Sequence, residues 1–211
     1  MGFSLHHNFF SGSLEVICGP MFSGKTEELI RRVKRARIAR QKIQIFKPKT
    51  DDRYDVDHVV SHSEQKIEAV AIDKASDILH NLHDSTRVIA IDEVQFFDEG
   101  ILAIIDRLVR RGHRVICAGL DLDYRSRPFG CIPDLLAMAD DVTKIQAICT
   151  VCGAWATKTQ RTKGGTDQIQ VGLSDSYEAR CRLHYEELSY LDDGMQAIRM
   201  PLDLGENPLS Q

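Results

Sequence analysis

An α/β fold, a parallel β-sheet with helices on its faces, is what the sequence predicts, and three observations predict it. Gly19-Pro-Met-Phe-Ser-Gly24-Lys25-Thr26 fits G-x-x-x-x-G-K-[ST] without a mismatch, between a strand-like run and a helix-forming one. Up to about Thr143, short apolar runs rich in branched residues alternate with helical segments, the pattern of βα units. Arg87-Val-Ile-Ala-Ile-Asp92-Glu93 reads as a buried strand that ends in two carboxylates. Together they make the sheet one of the phosphate-loop (RecA-like) kind, with right-handed crossovers and ligands at the carboxyl ends of its strands.

The first strand is expected over residues 13 to 18 and feeds the glycine-rich turn. Glu27 to Arg40 holds no Gly or Pro and is rich in good helix formers, so a helix is expected over 25 to 40. Gly19, Pro20, Met21, Phe22, Ser23 and Gly24 would then form a cradle whose backbone N–H groups face phosphate. Lys25 would reach the β/γ oxygens of a nucleoside triphosphate, and Thr26 would offer its hydroxyl to Mg²⁺. Further strands are expected at 42 to 47, 87 to 91 and 114 to 119, with helices near 74 to 82, 99 to 111 and 132 to 139. The segment from Ile101 to Val109 is apolar around much of its circumference, as suits a helix packed on a sheet and available to a partner subunit.

From Gln146 onward the character changes to polar and turn-prone. Cys149-x-x-Cys152 is followed after twenty-eight residues by Cys181-x-x-His184, four soft ligands in two close pairs, as a tetrahedral zinc site requires. Structural zinc contributes about 10–16 kcal/mol of apparent binding energy, comparable to the whole stability of a domain, about 5–15 kcal/mol. Metal rather than burial is expected to hold this part. The implied division is an N-terminal extension (1–12), a nucleotide-binding domain (13–145), a zinc-binding domain (146–190) and a tail (191–211) without clear pattern.

Composition excludes several classes. The chain has 211 residues, 43% hydrophobic and 27% charged, as in ordinary globular proteins. Its net charge of −4 gives no global pull toward nucleic acid or an anionic membrane, and no run approaches the ~20 apolar residues of a membrane span. The N-terminus lacks the pattern of a secretory signal, so a soluble cytoplasmic enzyme is expected. Arg31-Arg32-x-Lys34-Arg35-x-Arg37-x-x-Arg40 reads as a solvated helix face rather than a nucleic-acid contact, because the overall charge is negative and no aromatics interleave it. Cys18, Cys117 and Cys131 read as small buried hydrophobes.

The two carboxylates carry the chemistry. Asp92 would hold Mg²⁺ through water, and Glu93 would face the reacting centre and accept a proton from the nucleophile. The motif alone leaves open whether that nucleophile is water, as in an ATPase.

Glu93-Val-Gln95-Phe96-Phe97 and Leu120-Asp-Leu-Asp-Tyr124-Arg-Ser-Arg-Pro-Phe129-Gly130 resemble the thymidine kinases of the cytosolic, type II family. The likeness extends to Asp51-Asp-Arg53-Tyr54, to both metal-ligand pairs, and to Gly172 and Tyr177, over about residues 13 to 188. It implies transfer of the γ-phosphate of ATP to the 5′-hydroxyl of thymidine, and of deoxyuridine, giving dTMP in nucleotide salvage for DNA synthesis. In that likeness Asp92 and Asp51 arrange Mg²⁺, Arg53 steadies the phosphoryl group and Glu93 takes the proton. Tyr124 and Phe96 flank the pyrimidine, Gln95 and Phe129 lie with them on the substrate side, and Met21, Leu120, Thr157 and Tyr177 enclose the 5-methyl group. The long loop before Tyr177 corresponds to the family's lasso, which closes over the base with main-chain hydrogen bonds. Leu173, where a second Gly is expected after Gly172, is a departure that changes the loop's local path, and His184 stands where some relatives have Cys. The resemblance also implies a homotetramer and feedback inhibition by dTTP, with neither nucleic acid nor membrane as partner. The competing reading is a nucleic-acid-dependent ATPase whose zinc lobe grips DNA or RNA.

Overall fold

The computed structural model describes residues 12–49, 58–60, 66–163, 176–186, 188–191 and 194–197. In chain order the first half runs β1 (Ser13–Gly19), α1 (Lys25–Ile38), β2 (Ile43–Pro48), β3 (His58–Val60), β4 (Lys66–Glu68), β5 (Val70–Ile72), α2 (Asp77–Asn81) and β6 (Val88–Ile91). A 3₁₀ turn (Val94–Phe96), α3 (Gly100–Arg110), β7 (Arg114–Leu120), α4 (Ile132–Met138) and β8 (Asp141–Lys144) follow. Six of these strands form one parallel sheet in the order β5-β2-β6-β7-β1-β8.

The central strands β6 and β7 are buried almost without a break, as a sheet covered on both faces requires, and their side chains point alternately to the two faces. Ile17, Val88, Ala90, Ile116 and Ala118 point to one side, where Leu29, Ile30, Val33 and Ala36 of α1 close over them. Val16, Cys18, Ile89, Ile91, Val115 and Cys117 point to the other, against Ile78 of α2, Ile101, Ile105 and Leu108 of α3, and Ile132 and Leu135 of α4. The apolar circumference read in α3 is thus largely explained by packing on the sheet.

The expected strands and helices all form, with ends shifted by a few residues. The helix expected over 25 to 40 stops at Ile38, because Arg40 adopts φ 57, a left-handed conformation that helices do not continue. The helix expected over 74 to 82 shortens to α2. Two sheet strands, β5 and β8, and the β3–β4 hairpin were not expected. Strand β8 reads Asp-Val-Thr-Lys, too polar and short for a core strand, and the edge position explains it. Interactions from outside hold it: Arg32 donates to Asp141 and to the Thr143 hydroxyl at 3.3 and 2.7 Å, while Ile145 N–H donates to the Cys18 carbonyl at 2.8 Å.

Beyond β8 the chain builds small antiparallel pairs. Strands β9 (Ala147–Ile148) and β10 (Trp155–Ala156) bracket the first Cys pair, and β11 (Lys158–Arg161) pairs with β12 (Tyr177–Arg180) before the second. A hairpin of β13 (Leu188–Leu191) and β14 (Gly194–Ala197) follows. Among the described residues the buried apolar cluster here is Ala147, Cys149, Ala156, Ala179 and Cys181, small side chains that bury little area. Among the described residues no helix is long and apolar enough to cross a membrane.

Candidate functional site

The strand order decides where the site lies. Strand β1 neighbours β7, which neighbours β6, so the glycine-rich turn after β1, Leu120 at the end of β7, and Asp92 and Glu93 after β6 emerge together at the carboxyl edge. Gly19 leaves β1 at φ 145, and a Cβ there would overlap the Ile145 carbonyl oxygen. Phe22 and Gly24 follow at φ 63 and φ 85, so the backbone curls into the concave form that gathers N–H groups toward an anion. Inside the curl, the Pro20 carbonyl accepts from Ser23 Oγ at 2.8 Å and from Lys25 Nζ at 2.7 Å.

Lys25 is buried. Desolvation pulls its pKa below the ordinary amine range, opposed by the charges of Glu93, Asp92 and Asp121, in that order of strength. The ammonium group is therefore poorly hydrated and faces carboxylates, a setting in which added phosphate oxygens gain strongly. Thr26, one residue on, donates its hydroxyl to Asp92 Oδ2 at 3.2 Å, and Asp92 Oδ1 accepts the Glu93 N–H at 3.0 Å. A hydroxyl and a carboxylate that touch in this way form the pair of hard oxygen donors that Mg²⁺ takes.

Glu93 has φ 50 and ψ 41, left-handed backbone that is unfavourable for a residue with a Cβ. The conformation turns the chain sharply out of β6 into the 3₁₀ turn, and the Glu93 charge is the strongest of those acting on Lys25. Gln95 in that turn donates from Nε2 to Glu93 Oε2 at 2.6 Å, and its Oε1 accepts the Leu120 N–H at 3.1 Å.

The aromatic side chains form a second wall. Phe96 and Phe129 meet edge to face with centroids 5.5 Å apart. Tyr124 is buried, and the Arg161 guanidinium lies 3.6 Å from its ring centroid. Arg161 also donates to the Tyr177 hydroxyl from Nε at 3.1 Å and Nη2 at 2.6 Å. The Tyr185 hydroxyl donates to the Tyr124 carbonyl at 2.8 Å.

Most residues singled out in the sequence are therefore brought together. Asp51, Arg53 and Gly172 lie outside the described residues. Thr157 sits between β10 and β11, its buried hydroxyl without a hydrogen-bond partner among the described residues. Two residues on, Thr159 accepts the Met21 N–H at 3.0 Å, which ties β11 directly to the glycine-rich turn. Thr159 and Arg161 escaped the sequence reading. Lys-Thr-Gln-Arg is polar throughout, so it carries no strand pattern that could be read before the pairing with β12 is known.

Cys149, Cys152, Cys181 and His184 converge, with their ligand atoms all within 4.8 Å of one another. Cys152 Sγ lies 3.8 Å from Cys181 Sγ, and His184 Nδ1 lies 3.9 Å from Cys149 Sγ and 3.3 Å from Cys181 Sγ. Ligand bonds of about 2.0–2.3 Å in a tetrahedron put donor atoms about 3.4–3.8 Å apart, so the group fits a metal such as zinc. Desolvation opposes ionisation of Cys149, but backbone N–H groups of Cys181, Val151 and Cys152 outweigh it and draw the thiol down to about 6. That favours the thiolate, the form that binds metal.

A protein-family model described as thymidine kinase matches residues 12–185. The match takes in the cradle, both carboxylates, the aromatic wall and the four metal-ligand residues.

Proposed function

The chain belongs to the thymidine kinase family, and from that premise we propose that it transfers the γ-phosphoryl group of ATP to the 5′-hydroxyl of thymidine. The observation that carries the reading is the convergence of Lys25, Thr26, Asp92 and Glu93 at one end of the sheet. The 5′-oxygen attacks the γ-phosphorus as the bond to the β,γ-bridging oxygen breaks, leaving dTMP and ADP. Glu93 accepts the proton released from the hydroxyl. Lys25 and the backbone of Gly19, Pro20, Met21, Phe22, Ser23 and Gly24 hold the triphosphate, so positioning and charge neutralisation do most of the work. The Thr26 hydroxyl and Asp92, with Asp51, would hold Mg²⁺, which supplies neutralisation of phosphate charge when bound.

Tyr124 and Phe96, with Phe129 behind them, flank the pyrimidine, and Met21, Leu120, Thr157 and Tyr177 enclose its methyl group. Thr159, bonded to Met21, joins that wall. Contact with one methyl group is worth only about 1–3 kcal/mol, so deoxyuridine is accepted as well. On the same reading Arg53 would steady the transferring phosphoryl group, and the loop carrying Gly172 would close over the base. Cys149, Cys152, Cys181 and His184 hold structural zinc in a domain of their own. The salvage role, the cytoplasmic setting, the homotetramer and inhibition by dTTP belong to the same reading.

Titration of ATP turnover with thymidine, and separately with single-stranded DNA, tests it. The expected result is thymidine-dependent ADP and dTMP in equal amounts, with no response to DNA. Stimulation by DNA without nucleoside phosphorylation would overturn the proposal.

A further inference from the structure

The geometry points to Gln95 as a positioning residue for the Glu93 carboxylate rather than a contact to the nucleoside, an inference that rests on Glu93 as the proton acceptor. Its neighbours fix which way the amide faces. Leu120 N–H is a donor, so the oxygen of Gln95 must face it at 3.1 Å, and Nε2 is left to donate to Glu93 Oε2 at 2.6 Å. Both ends of the amide are thus used inside the protein, and the residue is 3% exposed, which leaves little of it to meet a ligand.

The surroundings are shaped to this side chain. A Cβ at Gly119 would come within 2.5 Å of Gln95 Oε1 and 2.9 Å of Ile132 Cδ1, so glycine there makes room for the amide. Gly130, at φ 51, passes so close that a Cβ would come 2.5 Å from the Gln95 carbonyl oxygen. Glu93 is therefore restrained twice, through its left-handed backbone and through the amide on one carboxylate oxygen. A flexible glutamate held this way keeps its orientation toward the acceptor hydroxyl, and a misplacement of about 1 Å costs on the order of 10²-fold in rate.

The test is a double-mutant cycle on turnover, with Gln95→Met and Gln95→Glu each made alone and combined with Glu93→Gln. Gln95→Met removes both bonds. Gln95→Glu keeps an acceptor for Leu120 N–H and the same length, so it serves if the first variant fails to fold. Each single change at Gln95 is expected to lower kcat about 10–100-fold while KM for thymidine stays within about twofold. In the Glu93→Gln background neither should cost anything further, because Gln95 acts through the group already removed. A raised KM with kcat held would make Gln95 a substrate contact and overturn the inference. Equal losses in both backgrounds would make it merely structural and overturn it as well. Near-normal turnover of Glu93→Gln alone would sink the assignment of Glu93 itself, an outcome distinct from both.

Discussion

Glu93 holds a backbone conformation, φ 50 and ψ 41, that costs a residue with a Cβ about 1–3 kcal/mol. Glycine would take it freely, yet the chain has glutamate there, which suggests that the side chain is kept for chemistry at the expense of stability. Two truncations separate the contributions. Glu93→Ala and Glu93→Gly remove the same carboxylate, and both should lose at least about a hundredfold in turnover, the usual contribution of a general base. They differ in backbone tolerance, so the Gly variant should be the more stable by about 1 kcal/mol, even though glycine elsewhere loses stability to alanine. Urea unfolding of the two variants measures it, and an Ala variant as stable as the Gly variant would contradict strain at this residue.

Helix α1 does two jobs, with its first turn at the cradle and its middle clamping the sheet. Arg32 bridges Glu28, one helical turn back, to Glu15 of β1 at 2.8 and 2.7 Å, and Arg114 of β7 grips the same Glu15 at 2.5 Å. Desolvation would raise Glu15, but Arg114 and Arg32 together bring its pKa below the ordinary range. Arg31, against desolvation and with help from Arg32, holds Glu28 down to about 2, from an ordinary value of 4.5. A carboxylate depressed on folding stabilises fully above its unfolded pKa and loses that contribution as the pH falls through the folded one. Glu28→Gln should therefore cost on the order of 1 kcal/mol near pH 7, given screening by solvent. Its gap to the parent protein should narrow as the pH falls from 6 toward 3, which urea midpoints measured across that range would show; a gap independent of pH would rule the charges out. This clamp also marks where sequence reading stopped. Strands β6 and β7 announce themselves as nearly continuous apolar runs, β1 and β2 as apolar runs interrupted by Glu15 and by Gln44, and the cradle and Asp92-Glu93 as fixed spacings. Strand β8 is polar and is held by Arg32 and by backbone bonds to β1, so only the assembled sheet reveals it. The same holds for Thr159 and Arg161, whose partners Met21, Tyr124 and Tyr177 are distant in sequence.

Across the whole molecule, two parts of different internal strength meet at the site. The parallel sheet has an extensive apolar core on both faces. The part carrying β9 to β12 has, among the described residues, an apolar cluster of five small side chains, so its order is expected to depend on the Cys149, Cys152, Cys181 and His184 group. Among the described residues, three contacts that join it to the sheet side are Thr159 to Met21, Arg161 to Tyr124, and Tyr185, next to His184, to the Tyr124 carbonyl. Two of the three end on Tyr124, so loss of metal should act first on the aromatic wall and less on the cradle, which β1 and α1 hold by themselves. Cys181→Ser should bind little zinc in a metal assay. Its affinity for thymidine, followed by calorimetry, should fall beyond detection, because bound metal supplies about 10–16 kcal/mol that this part lacks otherwise. Its affinity for a fluorescent ATP analogue should stay within about tenfold, since the bond at stake in the cradle among the described residues is Thr159 to Met21, worth about 0.5–1.5 kcal/mol. A metal-free variant that binds thymidine as tightly as the parent protein would show that this part orders itself without the metal.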